Sequence, residues 1–137
     1  MKKAKLKLDH EAYDPEHLSI VGLSAGIDFY RMAYFIAKEL EVSQSQETTA
    51  IGPHKEVLLY TSELEAHKLY LLKNVLPDGY FIPKLKSADY LIIICGEEKE
   101  PVFIKTLKQK LQSLEQVQSI FDIENRFIAA VKLKYFD

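Results

Sequence analysis

Apolar and polar residues alternate along this chain with two different periods, and each change of period predicts a change of element. Ala4, Leu6 and Leu8 alternate with Lys3, Lys5 and Lys7, the pattern of a strand with one dry face and one wet face. After a loop over residues 13–16, the short apolar run from Leu18 to Leu23 predicts a central strand covered on both sides. From Ile27 to Leu40 the period lengthens to that of a helix. Phe29, Met32, Ala33, Ile36 and Leu40 form one stripe, and Ile27, Tyr30 and Tyr34 form a second beside it, so the apolar arc is wide. The polar stretch from Glu41 to Pro53, rich in Ser, Gln and Thr and ending in Gly52-Pro53, predicts a mobile surface loop.

Farther along, Glu56 to Ser62 and His67 to Lys73 have the spacing of a hairpin, and Pro77-Asp78-Gly79 that of a tight turn. Asp89 to Cys95 predicts another buried strand, with the lone Cys95 as a small buried thiol. Pro101 follows four residues of acidic character, Glu97 to Glu100, and suits the start of a second helix, on which Phe103, Leu107, Leu111 and Leu114 make a narrow apolar stripe. Val117 to Ile123 and Val131 to Tyr135 alternate again as strands. Taken in order, strand, helix, strand, strand, helix, strand is the split βαβ arrangement, here with one strand inserted and further strands at both ends. The expected fold is α+β: an antiparallel or mixed sheet of about five to seven strands with two main helices on one face.

Composition narrows this only slightly. With 137 residues, 47% of them hydrophobic, the chain has material for one core, so residues 1–137 are expected to form a single domain. A net charge of −2 selects no class of partner. One cysteine cannot make an internal disulfide, and residues 1–9 lack the apolar run of a signal peptide, which together predict a cytoplasmic protein. No apolar run approaches the length of a membrane span, so no membrane partner is expected.

Residues Ile82-Pro83-Lys84-Leu85-Lys86-Ser87-Ala88-Asp89-Tyr90 resemble the signature of the IPExxxVDY family of small bacterial proteins of unknown function, with Ile82, Pro83, Asp89 and Tyr90 matching. Lys84 stands where the signature has Glu, and Ala88 where it has Val. Further similarity lies in the opening lysine-leucine strand, in Tyr30-Arg31-Met32-Ala33 and in Leu72-Lys73-Asn74. The resemblance implies relatives but no reaction. Physically, Pro83 holds Ile82 extended, the Asp89 side chain suits a turn, and Tyr90 would bury its ring, so a structural corner is favoured over a ligand site built from Asp89, Tyr90 and a lysine.

Gly22-Leu23-Ser24-Ala25-Gly26 fits the G-x-S-x-G pattern of a nucleophile elbow between strand and helix. A Ser24 nucleophile would need a base, and only His54 and His67 follow it in sequence. The competing reading, Ser24 as helix N-cap with Asp28 near the positive helix end, ranks above catalysis. His10, His17, His54 and His67 lack metal-ligand spacing, and no glycine-rich phosphate loop occurs, so no metal and no cofactor are expected. Lys3, Lys5, Lys7, Lys132 and Lys134 could line a basic stripe for RNA or another polyanion, with Tyr60 or Tyr70 as stacking surfaces if exposed; solvated edge lysines explain the same pattern, and the acidic balance argues against nucleic acid.

The favoured expectation is a noncatalytic domain that contacts a protein or a small ligand, with Tyr30, Arg31, Tyr34, Asp89 and Tyr90 as candidate residues. Its wide helical arc suits a homodimer contact or another protein, although extra cover from the same chain explains the arc equally well. Arg31 either pairs with Asp28 one turn back or meets an external anion, with the internal pair favoured. The alternatives are a small serine hydrolase using Ser24 and the polyanion-binding module.

Overall fold

A computed structural model of the protein describes residues 18–51, 54–77, 79–83, 85–96 and 101–123. The two lysine-bearing end strands expected at residues 3–8 and 131–135 therefore lie outside the described residues, as do His10, His17 and the acidic stretch 97–100.

The elements run β1 (Leu18–Ala25), α1 (Phe29–Leu40), β2 (Ser45–Ile51), β3 (His54–Leu64), β4 (His67–Lys73), β5 (Val75–Leu76), β6 (Gly79–Tyr80), β7 (Tyr90–Cys95), α2 (Pro101–Gln112) and β8 (Val117–Ile123). Six strands form one sheet in the order β2-β3-β4-β7-β1-β8, every neighbouring pair antiparallel, while β5 and β6 make a separate small ribbon. Because β1 and β4 both run antiparallel to β7, they are parallel to one another with β7 between them, and α1 lies in their connection. The same holds for β7 and β8 around β1, with α2 in their connection. Two interlocked split βαβ units result, extended at one edge by the β2–β3 hairpin.

Both helices pack on one face of the sheet. Phe29, Met32, Ala33, Ile36 and Leu40 of α1 and Phe103, Leu107 and Leu111 of α2 meet Val21, Leu23, Leu69, Leu71, Ile92 and Ile94. The alternate residues of the same strands, Ile20, Tyr70, Leu72, Leu91, Ile93 and Cys95, point to the opposite face, where Phe81, Ile82 and Ala88 from the segment before β7 join them. Every residue of β7 is buried, as its unbroken apolar run requires of a strand covered on both sides. Gly22 has a packing reason: a Cβ there would lie 2.7 Å from Cε2 of Phe121 on β8.

One expectation fails in this region. Residues 45–51 are not a loop but an edge strand paired with β3 from Ser45↔Thr61 to Thr49↔Val57, with an irregularity before Ile51↔His54. An edge strand that faces water on much of its surface shows no apolar alternation, so its signal lies in threonine content rather than in hydropathy. The β3–β4 connection is also unusual: Glu65 and Ala66 both adopt positive φ, 50° and 69°, in a two-residue turn where glycine or asparagine is the ordinary choice.

Candidate functional site

The corner before β7 is organised by Asn74, a residue with no solvent exposure. Its side-chain amide donates to the carbonyls of Leu85 (2.8 Å) and Ala88 (3.1 Å), and its Oδ1 accepts from the Ile82 N–H at 2.8 Å. Its backbone N–H donates to the Asp89 carbonyl, and its own carbonyl accepts from Phe81. A buried amide with every polar atom engaged converts an irregular segment into a fixed one. Sequence reasoning used Asn74 only as part of the resemblance; an asparagine directly after an apolar strand and before a proline-bearing segment was the available signal.

From this base Asp89 and Tyr90 reach to the start of α1. The Asp89 carboxylate accepts from the Ala25 N–H at 2.9 Å, and the Asp89 N–H donates to the Leu23 carbonyl at 2.8 Å. The Tyr90 hydroxyl donates to the Ile27 carbonyl, and its ring stacks on Phe29 with centroids 5.7 Å apart. Burial, then the carboxylates of Asp89 and Asp28, raise the Tyr90 pKa above its ordinary value of about 10, so the phenol stays a donor. Asp89 and Tyr90 thus clamp the β1–α1 connection.

This clamp corrects the expected role of Ser24. The strand continues through Ala25, with Ser24 opposite Ser119, so Ser24 cannot cap α1; the N-cap is Asp28, in extended conformation and without a side-chain cap bond. Nor does the sheet bring a histidine to Ser24. Leu18 pairs with Cys95 and Cys95 with Lys68, which puts His67 near the far end of the strands, about 20 Å from Ser24 at the usual rise. His67 is buried on the helix side, its ring stacked on Phe103 with centroids 3.9 Å apart and its Nδ1 2.9 Å from the Glu65 carbonyl; a carbonyl only accepts, so Nδ1 carries the proton. His54 opens β3, three strands from β1, or about 14 Å across the sheet.

Tyr30, Arg31 and Tyr34 form a different environment. The tyrosines are 65% and 59% exposed, one helical turn apart on the side of α1 opposite its buried stripe. Arg31 pairs with Asp28 at 3.7 Å, both side chains largely in water, so the pair contributes little to stability. Lys38 stands over the Tyr34 ring at 5.9 Å, and Tyr34 meets Phe35 edge-on. The five candidates therefore divide: Asp89 and Tyr90 hold the helix start, while Tyr30, Arg31 and Tyr34 ride on its outer surface.

Of the stacking surfaces considered for a polyanion, Tyr70 is buried and Tyr60 is half-buried, packed edge-on with Phe29 at 5.0 Å. An open cleft of about 640 Å³ runs between the end of α1 and strands β2 to β4, bordered by Glu41, Glu47, Glu63 and Glu65 with Lys68. It lies away from all five candidates. Among the described residues no helix is long and apolar enough to cross a membrane.

Comparison with protein-family models and with curated protein sequences finds no match to this chain.

Proposed function

We propose that the protein is a noncatalytic cytoplasmic module that works by contact with another protein, through the outer face of α1 formed by Tyr30, Arg31 and Tyr34. The observation that carries this reading is the exposure of two tyrosines one turn apart on a helix whose other side is fully engaged with the sheet. Tyrosine combines a large apolar ring with a polar tip and few rotamers, and with arginine it is enriched among the residues that dominate protein interfaces. Exposed rings of this size contribute nothing to the core, so the fold itself does not account for them. The Asn74–Asp89–Tyr90 corner serves this reading indirectly by fixing where α1 begins and which way its outer face points.

Site-specific photocrosslinking inside cells tests it. A benzophenone side chain replacing Tyr34 is expected to give a defined protein adduct, whereas the same group replacing Lys105, exposed on α2, is expected to give none. No adduct from position 34, or equal adducts from both positions, would remove the contact-face reading.

A further inference from the structure

We draw no further inference here: the strongest candidate, the open cleft between the end of α1 and strands β2 to β4, is bordered by a cluster of acidic side chains, Glu41, Glu47, Glu63 and Glu65, and nothing among the described residues shows what would occupy it.

Discussion

The corner around Asn74 and the outer face of α1 carry the same kinds of residue, polar and aromatic side chains in close sequence, yet use them in opposite ways. At the corner the polar side chains that organise it have partners inside the chain: Asn74 holds Ile82, Leu85 and Ala88, Asp89 holds Ala25, and Tyr90 holds Ile27. On the helix face the tyrosines are more than half exposed, and the Asp28–Arg31 ion pair is solvated. The corner is bound up with stability, and the face is nearly independent of it. Substitutions should therefore separate the two regions sharply.

Asn74→Ala should have the largest effect. It leaves the Ile82 N–H and the Leu85 and Ala88 carbonyls without their partner in a dry site, and a loss of about 3 kcal/mol or more is expected in denaturant unfolding. A loss below about 1 kcal/mol would mean that the corner is not rigid as described. Asp89→Ala should come next, at about 2 kcal/mol, because the Ala25 N–H loses a charged acceptor. Asp89→Asn keeps an acceptor oxygen there and should recover part of that loss; equal losses for both would argue that the hydrogen bond is not the source.

Tyr90→Phe should cost about 1 kcal/mol at neutral pH, read from the same unfolding curves. It also has a pH signature. Because the folded pKa lies above the unfolded value, the folded state holds the phenol proton more tightly. That stabilisation is complete below about pH 10 and is lost as the pH rises through the folded value. Wild type should therefore lose stability faster than Tyr90→Phe above this point, and parallel pH curves would contradict the clamp. The smallest effect belongs to the other region: Tyr34→Ser should change stability by no more than about 0.5 kcal/mol while abolishing the crosslink-competent face. A larger destabilisation would show the ring to be part of the fold.

Much of the fold was legible because its elements have pure periods. The helical stripe from Phe29 to Leu40, the unbroken apolar run of β7 and the proline at the start of α2 all have one dominant cause, burial on one face or on two. β2 was not legible, since its place in the sheet comes from backbone pairing to β3 while its side chains stay mostly polar. The site was legible as a set of residues but not as a partition. Nothing local distinguishes Tyr90, whose hydroxyl is consumed by Ile27, from Tyr30, whose ring faces water; that difference arises from residues 63 positions apart in sequence. Ser24 misled for a related reason. The G-x-S-x-G pattern describes a turn, whereas Gly22 accommodates the Phe121 ring and the backbone beyond Ser24 is held extended by Asp89.

The polar character of β2 bears on how copies of this protein avoid one another. Among the described residues β2 is the outermost strand beside β3, and a flat apolar strand in that position would recruit the edge of another sheet. Ser45, Gln46, Thr48 and Ala50 instead keep it exposed and hydrated, and the pairing irregularity before Ile51 bends its end out of register. Open-ended, fibre-forming addition of strands is thereby disfavoured at this edge.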